Sequence, residues 1–298
     1  MSKTEIFDSS MAAPNAALTD REKTLLGFDD RYRRVRDQLR LLLNAGDLEG
    51  WSRKHHGTVL SICDRVADQY PLVIFHGDVG TGKTASAECI ANRLMADAGI
   101  EDSMLFRLSN RVRGSGMVGE MGTLLAEAFR QVTEAAGKSR RAVLIIDEGD
   151  SIAASRTQDH SHHEDKVAVN TLIQAIDDLR RFKGRISVIL CTNRLTALDP
   201  ALQRRAAIVE EFRRPSETER RQLLEMDLNG LKLDSRQIGE LTSLSGPREQ
   251  VPGWTFSDFR TRFYPAAVAK AFPNEGLHFD HLLSVARNMS PSRVMEDC

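Results

Sequence analysis

PLVIFHGDVGTGKTAS, residues 71–86, is the stretch whose reading decides the fold. Its apolar run reads as a short strand buried on both faces, as in a parallel sheet. The loop that follows holds Gly77, Gly80 and Gly82, then Lys83 and Thr84. Gly77, Gly82, Lys83 and Thr84 satisfy the pattern G-x-x-x-x-G-K-[ST] at every fixed position, after an expected strand and before an expected helix. Glycines let backbone N–H groups turn inward around a β-phosphate, and the helix opening near Lys83 adds unsatisfied donors and the positive end of its dipole. The expected phosphate-binding set is Gly77, Asp78, Val79, Gly80, Thr81, Gly82, Lys83, Thr84 and Ala85. Lys83 is expected to reach the β- and γ-phosphates and the Thr84 hydroxyl to ligate Mg²⁺. Asp78 is an unusual neighbour for a polyanion: its carboxylate either points out to solvent or reduces affinity modestly.

Outward from this loop, buried strands alternate with helices. LVIF, MLFRLS, AVLIID and ISVILCTN are separated by helical stretches that begin at Lys83, at Leu124 and at Val167. Such alternation implies right-handed crossovers and a parallel sheet covered by helices on both faces, an α/β fold. The strand VLIIDE, residues 143–148, ends in two acids at the sheet edge where ligands of open parallel sheets bind. Asp147 is expected to hold Mg²⁺ and Glu148 to polarise the attacking water. The strand ISVILCTN ends in Asn193, whose amide can donate to the γ-phosphate or to the same water. Arg204 and Arg205 follow in LDPALQRRAAI. A planar guanidinium there could project from one copy into the nucleotide of the next.

The remaining composition bounds the partners. The 298 residues carry 41 Lys plus Arg against 42 Asp plus Glu, so no broad basic field favours nucleic acid. Four scattered cysteines show neither metal nor redox spacing, which fits reduced thiols in a cytoplasm. No apolar run approaches the roughly 20 residues of a membrane span, and the first residues lack a secretory signal. Residues 1–20 hold too little apolar matter to order themselves and are expected to form a loose arm. An amphipathic helix is expected over 31–43 and another candidate over 58–70. A boundary near 214 separates the α/β domain, 21–213, from a smaller helical lid domain, 214–298.

The order of phosphate loop, DE strand, Asn strand, arginine pair and helical lid resembles the AAA+ ATPases. HGDVGTGKT, LIIDEGDSIAASR, VAVNTLIQAIDDLR and SVILCTNRLTALDPALQRRAAI are similar to the pachytene-checkpoint ATPases, which remodel HORMA-domain proteins. This resemblance implies a ring, a homo-hexamer, that binds ATP and Mg²⁺ between subunits and pulls on a HORMA-domain partner, gripped by a terminal tail. It makes Arg205 the better-matched finger of the pair. It also puts Met117 and Val118 in the first loop of a central channel, where relatives usually have an aromatic residue. Residues 157–165, TQDHSHHED, would form the second channel loop. The His160–His163 run invites a zinc reading, but its spacing fits no familiar site and acids lie among the histidines.

The lid departs from the family: aligned on Gly253, Ser257 stands where relatives carry an arginine that senses the γ-phosphate. Arg260 and Arg262 are the candidates to replace it. The short arm before Leu26 leaves no space for the N-terminal adaptor-binding domain of eukaryotic members. That fits the bacterial members tied to second-messenger defence against phage. Two other classes share the phosphate chemistry. A DNA-acting AAA+ loader or transposition helper should carry a basic channel or a helix-turn-helix appendage, and neither is evident. A slow nucleotide-gated scaffold is disfavoured by an intact Glu148.

Overall fold

A computed structural model describes residues 6–99, 102–113, 119–153 and 163–295. Its centre is one six-stranded sheet built from β1 (Phe7–Ala13), β2 (Leu72–Gly77), β3 (Ser103–Leu108), β4 (Arg141–Ile146), β5 (Ile186–Thr192) and β6 (Ala206–Phe212), in the order β1-β3-β4-β5-β2-β6. All neighbouring pairs are parallel except β1 with β3. The period-2 alternation of a strand explains why the central strands read as unbroken apolar runs. Leu72, Ile74, Leu144, Ile146, Val188 and Leu190 enter one core. Val73, Phe75, Val143, Ile145, Ile189 and Cys191 enter the other.

Helices cover each face. Before β2 come α1 (Ala16–Glu22), α2 (Phe28–Leu43), α3 (Leu48–His56) and α4 (Ser61–Ala67). Between the strands lie α5 (Lys83–Asp97), α6 (Glu120–Ala136), α7 (His163–Leu179) and the single turn α8 (Pro200–Gln203). Helices α6 and α7 pack on the first face through Leu125, Phe129, Val132, Val169, Leu172 and Ile176. On the second face, α2 and α5 contribute Phe28, Val35, Leu39, Ile90 and Leu94. After β6 the chain forms α9 (Glu217–Asp227), α10 (Ser235–Leu244), α11 (Tyr264–Ala271) and α12 (Phe279–Asn288) around a third core. Capping boxes start α9 (Ser216 with Glu219) and α10 (Asp234 with Gln237), satisfying orphan N–H groups. The buried indole of Trp254 sits 5.1 Å, centroid to centroid, from both Phe259 and Phe263.

Two expectations need correction. The loose arm expected over 1–20 is overturned from residue 7 onward by β1, whose residues 9–13 pair in register with 107–103 of β3, and by α1. Ladder hydrogen bonds are made by the backbone, so a segment poor in apolar residues can be ordered by the strand it meets. Asn15 then caps α1 by accepting from the Ala17 N–H at 2.9 Å, and its own N–H donates to Asn92 Oδ1 at 2.6 Å. The sheet is therefore mixed at that side. Strand β6 also falls outside the expected set: AAIVEEF carries two adjacent acids and is only partly buried because it lies at an edge, paired with β2 alone.

Candidate functional site

Because β2, β5, β4 and β3 are consecutive neighbours and mutually parallel, their C-terminal ends lie side by side. The first end is the phosphate loop. Gly77, Gly80 and Gly82 have φ of 135°, 75° and 89°, the left-handed region that favours glycine. Thr81 is buried and donates its hydroxyl to Asp78 O at 2.8 Å, which tightens the loop. Lys83 opens α5 and is itself buried. Its ammonium donates to Gly77 O at 2.8 Å, Asp78 O at 2.9 Å and Asn193 Oδ1 at 2.8 Å. Burial lowers the pKa of Lys83 from its ordinary value, against the opposing pull of Asp147, Asp78 and Asp150. Thr84 and Ala85 follow in the first turn of α5, both half-buried.

The second and third ends supply carboxylates and an amide. Asp147 Oδ1 accepts the Glu148 N–H at 2.9 Å, and Asp147 Oδ2 lies 3.5 Å from an Arg107 guanidinium nitrogen. Glu148 is exposed and has φ of 49°, a conformation that costs of order 1–3 kcal/mol for a non-glycine residue. The Ser151 hydroxyl, donating to Glu148 O at 2.6 Å, helps to hold it. Gly149 is required by packing: a Cβ there would lie 2.7 Å from Leu190 Cγ. Asp150 Oδ1 accepts from Thr192 Oγ1 at 3.1 Å and from the Asn193 N–H at 3.4 Å, stitching the acidic strand end to the amide strand end.

Four further residues belong here that sequence reasoning passed over. Asn110, just beyond β3, donates from Nδ2 to Glu148 Oε2 at 3.4 Å. Its signal was available, since it is an Asn at a strand end like Asn193. Arg107 and Asp150 are recognisable only once β3, β4 and β5 are adjacent. Arg214 corrects the solvent-facing alternative for Asp78: the carboxylate does not face solvent but pairs with Arg214, Nε to Oδ2 at 2.6 Å, with the two side chains 12% and 13% exposed.

The arginine pair lies at the opposite edge. Leu72, the start of β2, is level with Ala206, the start of β6, so Arg204 and Arg205 sit at the N-terminal edge of the sheet. Arg204 is exposed. Arg205 forks onto Asp177 at 2.6 and 2.9 Å and lies over the Tyr70 ring at 5.2 Å. Within one chain neither is brought to the phosphate loop. The lid segment does reach that loop, since the Ser257 N–H donates to Gly80 O at 3.1 Å. Neither candidate replacement for the lid arginine points there: Arg260 bonds Thr24 O at 2.6 Å and Asp227 at 3.3 Å, and Arg262 bonds Asp258 at 3.0 Å. Met117 and Val118, and His160 in the proposed second channel loop, lie outside the described residues.

A glycine loop gripping a buried lysine, two acids on one neighbouring strand and an amide on the strand between them define a phosphate-loop nucleotide hydrolase. A profile of the ATPase family associated with various cellular activities (AAA) matches residues 73–214. CD-NTase-associated protein 6 of Escherichia coli (strain KTE188) is 63% identical over 297 residues, covering 100% of both chains. A chain of the solved HORMA:CdnC:Trip13 complex of E. coli MS115-1 superposes with a TM-score of 0.88 at 37% identity, covering 98% of each. Trip13 of Rhizobiales does so with a TM-score of 0.72 at 30% identity, covering 97% of this chain and 100% of the other. The chain belongs to the AAA ATPases, in the Trip13-like group that includes CD-NTase-associated protein 6.

Proposed function

We propose that this chain is a Mg²⁺-dependent ATPase that closes into a homo-hexameric ring and uses hydrolysis to remodel or disassemble a HORMA-domain protein. Its setting is cytoplasmic anti-phage signalling. The observation that carries the reading is the convergence of Lys83, Asn193, Asp147 and Glu148 on adjacent strand ends in a chain similar to one found with a HORMA protein.

The donors fit Mg²⁺. Asp147 and Thr84 offer hard oxygens, and among the described residues no group of three or more His, Cys, Asp or Glu forms a dedicated cage. Mg²⁺ keeps several waters and needs only one or two protein oxygens beside the substrate phosphates. When bound it would neutralise charge between the β- and γ-phosphates. Lys83 exchanges its hydrogen bonds to Gly77 O, Asp78 O and Asn193 for phosphate oxygens. Loop N–H groups fix the β-phosphate. Glu148, steadied by Asn110, accepts a proton from water aimed at the γ-phosphate, while the Asn193 amide donates to the γ-phosphate or to that water. Arg204 and Arg205 of an adjacent copy stabilise the developing charge. Met117 and Val118 grip the partner.

The test is a Glu148→Gln variant. Loss of general-base assistance should slow phosphate release by about 10²- to 10⁴-fold while ATP binding persists. The same variant should trap a HORMA partner in ATP-dependent pull-downs. Equal phosphate release from wild type and variant would favour a nucleotide-gated scaffold instead. A salt-sensitive gel shift with DNA would favour the loader reading.

A further inference from the structure

We propose that Arg214 is a positioning residue for ATP, neutralising the carboxylate of the phosphate loop and, with the same guanidinium, strapping the lid and residues 289–295 to that loop. The inference rests on the ATP-binding reading of Gly77–Thr84 given above.

Arg214 follows β6, whose last residue packs its backbone directly on Gly77. From this junction its guanidinium reaches three segments. Nε meets Asp78 Oδ2 in the loop at 2.6 Å. NH1 donates to Gly253 O at 2.6 Å in the lid, and NH2 to Ser292 O at 2.9 Å near the end of the chain. Ser292 is held from its other side by the fully buried Asp258, which accepts from the Ser292 hydroxyl at 2.6 Å. The Met295 N–H approaches the remaining Asp78 oxygen at 3.4 Å. Beside them, the lid touches the loop directly: Ser257 N–H donates to Gly80 O, and a Cβ on Gly80 would lie 2.7 Å from Ser257 Cβ.

A carboxylate in a loop that wraps a triphosphate opposes the ligand unless a cation stays beside it, since like charges at this range repel strongly where water is scarce. Arg214 is that cation. Two of its donors are also spent on the lid and on the tail, so whatever favours Arg214 beside Asp78 also favours the docked strap. Bound polyphosphate raises the local negative charge and therefore strengthens that preference. Loop occupancy and strap docking are thus linked with positive sign.

The experiment titrates the full chain with ATP and Mg²⁺ by calorimetry and follows hydrogen exchange over 289–295. Wild type should bind ATP, and the tail amides should gain protection on binding. Arg214→Ala should weaken ATP binding by about 10- to 100-fold, the scale expected for one uncompensated charge. Adding Asp78→Asn to Arg214→Ala should recover most of that affinity while the tail stays unprotected, a separation that a merely structural arginine would not produce. Equal affinity of Arg214→Ala and wild type would overturn the inference, as would failure of the second substitution to rescue. If Arg214→Ala does not fold, the wild-type exchange decides: unchanged tail protection with saturating ATP overturns it. Wild type that binds no ATP would instead sink the underlying nucleotide reading.

Discussion

The two edges of the sheet carry different sets of polar groups. At the C-terminal edge stand the loop, Lys83, Asp147, Glu148, Asn193 and Asn110, and at the N-terminal edge stand Arg204, Arg205, Asp177 and Tyr70. The first edge can bind and activate. The second holds the exposed Arg204 and the Asp177-paired Arg205, with no glycine loop to receive phosphate. Within one chain the arginines lie at the edge away from the loop, so in the proposed ring one copy's loop edge would meet another's arginine edge.

The strongest way to break this comparison is to remove the arginines. Arg204→Ala combined with Arg205→Ala should lower kcat by about 10³- to 10⁵-fold, the range known for such groups in phosphoryl transfer. Mixing that variant with Lys83→Ala should restore turnover, because one junction then joins an intact loop to intact arginines. Undiminished turnover by the arginine variant, or no recovery on mixing, would show that the edges act independently. A finer cut is Asn110→Ala, which leaves Glu148 in place but unsteadied. It should cost about 10-fold in kcat with little change in KM, the pattern of an interaction needed mainly in the transition state. A change confined to KM would assign Asn110 to binding.

The smallest effect concerns the lid, which adjoins the loop edge alone. Burial pushes the Asp258 carboxyl up, but hydrogen bonds from Ser292, Thr255 and Arg262 outweigh it, and the net pKa lies below the ordinary 3.8. A depressed carboxylate contributes stability that is full above the unfolded value and is lost as pH falls through the folded one. The emission of Trp254 should therefore report loosening of the lid only below about pH 4, and Asp258→Asn should flatten that dependence. An identical acid profile in the variant would remove Asp258 as the cause.

What could be read from the chain follows from how each feature is encoded. The meeting of Lys83, Asp147, Glu148 and Asn193 at adjacent strand ends was legible because the strands are continuous apolar runs whose order implies a parallel sheet. The pairing of Asp78 was not legible because its partner lies 136 residues away, across a turn of tertiary structure. The Arg205–Asp177 pair was hidden for the same reason. Strand β1 was missed because main-chain ladders do not depend on which side chains they carry. Trp254, Phe259 and Phe263 make the lid a core of its own, yet their short spacing reads only as helical until they close on one another.

The antiparallel strand at residues 7–13 has a practical consequence. It places Asp8, Ser9 and Ser10 outside the apolar MLFRL of β3. Cutting the chain back to residue 14 would bare that row of amides and carbonyls beside Leu105 and Phe106, the kind of border onto which other extended chains add. Shortened versions should clump during purification, and solubility tags belong ahead of residue 6 rather than in its place.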